Sequence, residues 1–315
     1  MDAPRTVFMG TPDFAVPSLD ALVAADLAPV AVVTVPDKPA GRGRTLRASA
    51  VKQAAERHGL PVLQPESLRD AAFVEALRAL APDVLAVVAF RILPPEVYEL
   101  AGEGAFNLHG SLLPAYRGAA PIQRALMDGV EETGVTTFFL QRTVDTGHVI
   151  LRKRLAVGPD DTGGDVHDRL AVLGAEAVVE TVRRIAEGTA DAQPQDDTLA
   201  SPAPKLFRDD GRVDWSRSAR DIHNHVRALD PYPGAWTTWQ GETLKLFGSR
   251  LAAGDGPPGE VVACGDALVV ACAEGAVAFA DVQRQGKRRM PAADFLRGVD
   301  LAPGDPLGAP APSVS

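Results

Sequence analysis

The sequence predicts an α/β protein with a mostly parallel sheet, followed by a smaller β-rich domain. Three observations carry this. Short, continuously apolar runs alternate with amphipathic helical stretches through the first 188 residues, the pattern of strands covered on both faces. Composition then turns polar and Pro-containing, without helical period, at 189–204. Beyond 209, short strands separated by Gly-containing turns take over, as in a small barrel or sandwich.

The elements follow in order. Residues 6–9 form an apolar strand ending in Gly10-Thr11-Pro12-Asp13, and a helix with Phe14, Leu19, Leu22 and Val23 on one face comes next. Residues 30–35 are a second buried strand. A helix stops between Gln53 and Gly59, ahead of a short strand at 61–63. A further helix at 68–80 precedes the strand 84–88, and 105–108 is the next strand. Pro121 opens a helix reaching Met127, because proline suits the first helical position. Strands at 135–140 and 149–151 flank a turn holding Asp145. One long helix spans 162–187, with Val166, Leu170, Leu173, Ala177 and Val178 as its buried stripe, and ends at Gly188. In the second half, a helix at 218–229 precedes strands at 235–239, 244–247, 259–263, 267–271 and 276–282. The expected organisation is a catalytic domain at 1–188, a linker at 189–208, a β domain at 209–301 and a disordered tail at 302–315.

Composition narrows the function classes. At 315 residues the chain can bury a sizeable core. It lacks the long apolar run of a membrane span and the basic-then-apolar layout of a secretory signal. Cys264 and Cys272 make neither a disulfide framework nor a zinc pattern, so the cytoplasm is the expected compartment. A formal net charge of -9 argues against indiscriminate coating of nucleic acid. A local basic patch still acts, since charges are screened only beyond about 8 Å. Lys38, Arg42, Arg44, Arg47 and Lys52 form such a patch beside a strand end, opposed nearby by Asp37 alone. Arg284, Lys287, Arg288 and Arg289 form a second one in the β domain.

The chemistry concentrates at Phe106-Asn107-Leu108-His109-Gly110-Ser111-Leu112-Leu113-Pro114. A period of two sends Asn107 and His109 from the same strand face, so an amide donor and an imidazole can act on one carbonyl. Alone, the pair also suits a loop whose polar groups need partners. Their place at a strand end, where open α/β sheets bind ligands, favours a site. Asp145-Thr146-Gly147 is an ordinary turn composition whose aspartate could orient the imidazole. Ser111 lacks a nucleophile elbow and reads as a loop hydrogen-bonding residue. Gly10 is not followed by the glycines of a dinucleotide fingerprint, and no phosphate loop occurs. His223 and His225, two apart on a helix, face apart and do not suggest a metal site. Trp236 and Trp239 suit either base stacking or core packing.

Together with Gly10-Thr11-Pro12-Asp13-Phe14-Ala15, the run 36–44 and Arg117-Gly118-Ala119-Ala120-Pro121-Ile122-Gln123, these residues resemble the methionyl-tRNA formyltransferase family from about residue 6 to 298. The resemblance implies a Rossmann-like formyltransferase domain followed by a small OB-like β-barrel domain. It implies 10-formyltetrahydrofolate as co-substrate, no metal, and Asn107, His109 and Asp145 as catalytic residues. It implies a folate-binding loop at Ser111, Leu112, Leu113 and Pro114, with Phe90, Arg91 and Ile92 beside it. It implies initiator methionyl-tRNA as partner, contacted by Lys38, Arg42, Arg44 and Arg47 and by Lys287, Arg288 and Arg289, and no membrane. A monomer is the expected state. One departure stands out: Ala89-Phe90-Arg91-Ile92-Leu93-Pro94 is a residue shorter than the family's usual segment and lacks its glycine, so Arg91 must point where a glycine did not. Two alternatives remain open. One is formyl transfer to a small amine, such as glycinamide ribonucleotide or an amino sugar nucleotide. The other is non-catalytic tRNA binding.

Overall fold

The computed structural model describes residues 3–40 and 45–308. It comprises two compact units. The first contains Met1–Pro121, Glu132–Ala156 and His167–Pro204, and the second Ile122–Glu131, Val157–Val166 and Lys205–Ser315.

The first unit is built on β1 (Thr6–Gly10), α1 (Val16–Ala24), β2 (Ala31–Val33), β3 (Lys38–Ala40), β4 (Thr45–Arg47), α2 (Ala50–Arg57), β5 (Val62–Leu63), α3 (Ala71–Ala79), β6 (Val84–Val88), α4 (Pro95–Tyr98) and β7 (Gly104–His109). The short α5 (Pro121–Met127) follows, counted from Ile122 on with the second unit. Then come β8 (Glu132–Phe139), β9 (Val149–Ala156) and the long α6 (Gly163–Ala186). The sheet order is β5-β2-β1-β6-β7-β8-β9. The first five strands run parallel; β8 is antiparallel to β7, and β9 is antiparallel to β8. Every residue of β1 and β6 is buried, which is why those runs lack alternation. β9, at the edge, alternates instead.

Strand β7 decides where the site lies. Leu108 points toward α6, so closely that a Cβ on Gly174 would come within 2.6 Å of Leu108 Cδ2. The pleat therefore sends Asn107 and His109 to the opposite face. His109 is the last residue of β7 and pairs with Thr136 of β8. Since β8 runs antiparallel, its end lies beside Ala105 and Phe106, and residues 140–148 fold back to reach His109.

The second unit holds α7 (Ala219–Leu229), β10 (Ala235–Trp239), β11 (Glu242–Ala252), β12 (Val261–Cys264), β13 (Leu268–Ala271), β14 (Ala276–Arg284), β15 (Met290–Pro291) and α8 (Ala292–Arg297). They form one antiparallel sheet in the order β10-β11-β14-β13-β12, with β15 on β14. Ser218 caps α7 by accepting from the Asp221 amide. The core includes Trp215, Val226, Leu246, Phe279 and Phe295.

Two expectations need correction. The segment 189–208 is not a free linker: through Pro204 it belongs to the first unit, where Gln193 exchanges two backbone hydrogen bonds with Val149. Nor does a loose tail begin at 302. Gly304 and Leu307 donate to Val261 and Gly259, and Asp305 accepts from Val261, so residues 302–308 satisfy the edge of β12. Residues 309–315 lie outside the described residues. Among the described residues, no helix is long and apolar enough to cross a membrane.

Candidate active site

His109 and Asp145 meet although 36 positions separate them in the chain. His109 is buried, and its Nε2 lies 2.8 Å from the Tyr116 carbonyl. A carbonyl only accepts, so Nε2 carries the hydrogen and donates it. The other nitrogen, Nδ1, faces Asp145 Oδ2 at 3.9 Å. That is beyond hydrogen-bond length, so Nδ1 is not tied to the carboxylate it faces.

Asp145 sits at φ 57°, in the left-handed region that aspartate tolerates better than most residues. Its Oδ2 accepts from the Gly118 amide at 2.9 Å. Two residues on, a Cβ at Gly147 would come within 1.7 Å of the Phe139 carbonyl, so only glycine lets this turn lie against the strand. Asn107 shares the His109 face of β7. Its amide makes no hydrogen bond among the described residues, leaving both of its N–H groups for a ligand.

The loop after β7 is pinned from several sides. Ser111 Oγ donates to the Ala115 carbonyl at 2.6 Å, and Thr136 Oγ1 donates to the Ser111 carbonyl at 2.7 Å while accepting from the Leu113 amide at 3.0 Å. Arg152 Nε donates to the Leu113 carbonyl at 2.8 Å, and burial pulls that guanidinium below its ordinary pKa. Leu113 is buried with Phe138 and Val149, while Leu112 and Pro114 are half-buried. Ser111 is thus part of the loop's own scaffolding.

Arg91 has a definite destination. Its guanidinium lies 5.1 Å from the centre of the Phe90 ring and donates to the Pro65 and Glu66 carbonyls, both at 3.0 Å. Phe90 is half-buried on the core beneath it, and Ile92 is 76% exposed.

The basic residues divide. Lys38 and Arg47 are exposed and stand opposite each other on the β3–β4 hairpin. Arg42 and Arg44 lie outside the described residues. Lys52 is bound to Asp37 at 2.6 Å; that bond and a further one from Gln64 hold the Asp37 carboxyl below its usual pKa. Lys287 and Arg288 are exposed. Arg289 is committed elsewhere: it binds Asp230 at 2.7 Å and Asp281 at 2.8 Å and covers the Phe247 ring at 4.3 Å. Trp239 is buried against Phe295, whereas Trp236 donates to the Arg208 carbonyl and is flanked by Arg208 and Arg212.

A residue outside every motif joins these parts. Gln195 touches both the Asp145 turn and Arg117. No sequence signal marks it: it lies in a polar, Pro-containing stretch of ordinary linker composition.

Comparison with known proteins assigns the chain to a family. Residues 5–182 match the family described as formyl transferase, and residues 205–300 match its C-terminal domain. The methionyl-tRNA formyltransferase of Chlorobium phaeovibrioides is 49% identical over 313 residues, covering 97% of this chain and 98% of the relative. That of Moorella thermoacetica is 47% identical over 308 residues, covering 96% and 99%. Among solved structures, an N-formyltransferase from Helicobacter canadensis, in complex with folinic acid and dTDP-3-aminofucose, superposes with a TM-score of 0.68. Its identity is 18%, and the match covers 89% of this chain and 99% of that one. At that identity the likeness concerns the fold.

Proposed function

This chain belongs to the methionyl-tRNA formyltransferase family, and from that premise we propose that it moves the formyl group of 10-formyltetrahydrofolate onto the α-amino group of methionyl initiator tRNA. Near-complete coverage at close to half identity supports the family. The observation that carries the chemistry is the buried His109 with one nitrogen committed to Tyr116 and the other turned to Asp145.

An α-amino group has a pKa of about 7.7–8.0, so a useful fraction is neutral near pH 7.5 and needs little activation. Its nitrogen attacks the formyl carbon, a new C–N bond forms, and the carbonyl oxygen becomes an oxyanion. The Asn107 amide donates to that oxygen, a contact worth about 3 kcal/mol where such donors have been removed. The attacking nitrogen must lose a proton and the folate N10 must gain one before the old C–N bond breaks. Nδ1 of His109 is the group available to carry a proton, and Asp145 Oδ2 at 3.9 Å stabilises the ring while it does so.

The formyl donor would lie along Ser111 to Pro114 and beside Phe90, Arg91 and Ile92. Because Arg91 turns away to the 65–66 carbonyls, the shorter segment can leave space where a bulky side chain would otherwise intrude. Lys38, Arg47, Lys287 and Arg288 are the exposed cations offered to the tRNA phosphates, with Arg42 and Arg44 as further candidates. Arg289 is the weakest candidate, since two carboxylates already neutralise it. A cytoplasmic monomer completes the proposal, and sedimentation in solution tests the monomer.

The deciding experiment mixes the protein with 10-formyltetrahydrofolate and methionine-charged initiator tRNA, and scores formylmethionine released after deacylation. Formylation of the charged tRNA, declining as salt rises, is expected. Formylation of a small amine alone would replace this function, and binding without formylation would abolish it.

A further inference from the structure

We infer that Gln195 is a positioning residue for formyl transfer, its side-chain amide clamping the Asp145 turn to the loop that holds His109. The inference rests on the catalytic reading of His109 and Asp145. Gln195 Nε2 donates to the Asp145 carbonyl at 3.0 Å and to the Gly147 carbonyl at 2.8 Å. Its Oε1 accepts from Arg117 Nε at 3.2 Å and Nη2 at 2.7 Å. Both donors and both acceptor positions of one amide are thus used.

Each end of this clamp leads to a catalytic group. On one side, the two carbonyls belong to the turn that keeps Asp145 left-handed, a conformation that persists only when its surroundings over-determine it. On the other, Arg117 lies between Tyr116, whose carbonyl accepts from His109, and Gly118, whose amide donates to Asp145. The segment bearing Gln195 is itself laced to that loop. Arg117 donates to the Ser201 carbonyl at 2.8 Å, Ala203 donates to the Arg117 carbonyl at 2.6 Å, and the Tyr116 amide donates to Ser201 Oγ at 2.9 Å. Arg117 Nη2 also binds Asp197 at 2.7 Å. Gln195 is the side chain through which this strap touches the Asp145 turn and the Arg117 loop at once. It does not face the reacting atoms, so it acts by setting the separation of His109 Nδ1 and Asp145 Oδ2.

Two Gln195 variants test this. Gln195→Met keeps the length and loses all four hydrogen bonds, and Gln195→Glu keeps the acceptors for Arg117 but loses both donors to the turn. Each is compared alone and combined with Asp145→Asn, by steady-state formylation of charged initiator tRNA. A displacement of about 1 Å at such a site can cost on the order of a hundredfold in rate, so each single variant is expected to lower kcat by roughly tenfold or more, with KM for both substrates nearly unchanged. In the Asp145→Asn background the same changes should lower kcat by less than about twofold, because a residue acting through Asp145 has nothing left to position. Unchanged kcat in both single variants, or a full loss repeated in the Asp145→Asn background, overturns the inference. If Asp145→Asn alone were near wild type, the catalytic assignment itself would fail, which is a distinguishable result. Should Gln195→Met not fold, Gln195→Glu decides by the same two comparisons.

Discussion

Two of the buried histidines among the described residues are wired differently. His109, in the first unit, is 6% exposed and has one nitrogen bonded to a carbonyl, while the other stops 3.9 Å short of a carboxylate. His223, in the second unit, is 4% exposed, with Nδ1 2.9 Å from the Ser249 hydroxyl and Nε2 2.9 Å from the Pro159 carbonyl. Burial alone therefore does not mark a reactive histidine. Each ring also has a carboxylate nearby, Asp145 at 3.9 Å from His109 and Asp160 at 3.4 Å from His223. What separates them is that both His223 nitrogens are hydrogen-bonded whereas Nδ1 of His109, the nitrogen proposed to carry a proton, is not. His223 is a joint, tying α7 to β11 and to the 157–161 segment, and its hydrogen bonds serve the fold.

The largest effects should come from attacking the His109 side of this contrast. His109→Ala removes the proposed proton carrier and is expected to lower kcat for formyl transfer by about 10²–10⁴-fold, with a thermal midpoint close to wild type. Asp145→Asn keeps the Gly118 contact possible but removes the negative charge, and should fall in the same direction. Activity near wild type in both would erase the distinction between the two histidines. Asn107→Ala comes next. Loss of one fixed oxyanion donor costs about 10²–10³ in kcat, and a change confined to KM would show that the amide binds substrate without assisting the reaction.

How much of this contrast is legible in the sequence depends on the range of the interaction. Asn107 and His109 are visible because strand period is local: two residues apart means one face. The parallel sheet is visible because the 6–9 and 84–88 runs are apolar at nearly every position, as strands buried on both faces must be. Asp145 is visible as a turn residue, but its meeting with His109 depends on an antiparallel β8 and a loop that doubles back. Gln195 is hidden because a hydrogen-bonded strap and a solvated linker have the same polar composition. Arg289 reads as a free cation for a related reason: Asp230, 59 positions away, neutralises it, and no local pattern shows that. Residues 302–308 read as a tail because pairing to a strand edge needs backbone groups and no apolar period.

On the His223 side the contrast predicts loss of stability without loss of chemistry. His223→Ala leaves the Pro159 carbonyl and the Ser249 hydroxyl without their imidazole partner, and should lower unfolding free energy by about 1–3 kcal/mol. Turnover per folded molecule should stay unchanged, measured by kcat after correcting for the folded fraction. A fall in kcat comparable to that of His109→Ala would mean that the two sites are not separable.

The smallest effect is a pH dependence of stability that comes from the His223 side. Burial is the main cause that pulls the His223 pKa below its ordinary value of 6.5; Arg227 and Arg250 add to it, and the Pro159 carbonyl and Asp160 oppose it. His225 is lowered as well, again chiefly by burial. The unfolded chain therefore binds these protons at a higher pH than the folded one does. Stability from the neutral, buried rings is fully present above about pH 6.5 and declines as pH falls through that value toward the folded pKa. Each group can contribute at most about 1.4 kcal/mol per pH unit inside that window. Denaturant unfolding at pH 7.5, 6.5 and 5.5 should show a falling midpoint. His223→Gln, whose amide can still meet Ser249 and Pro159, should be less stable at pH 7.5 but flatter across the series, with the His225 share of the slope remaining. An equally steep slope in His223→Gln would show that His223 takes up its proton without unfolding, and the loss of stability in acid would then belong to other groups.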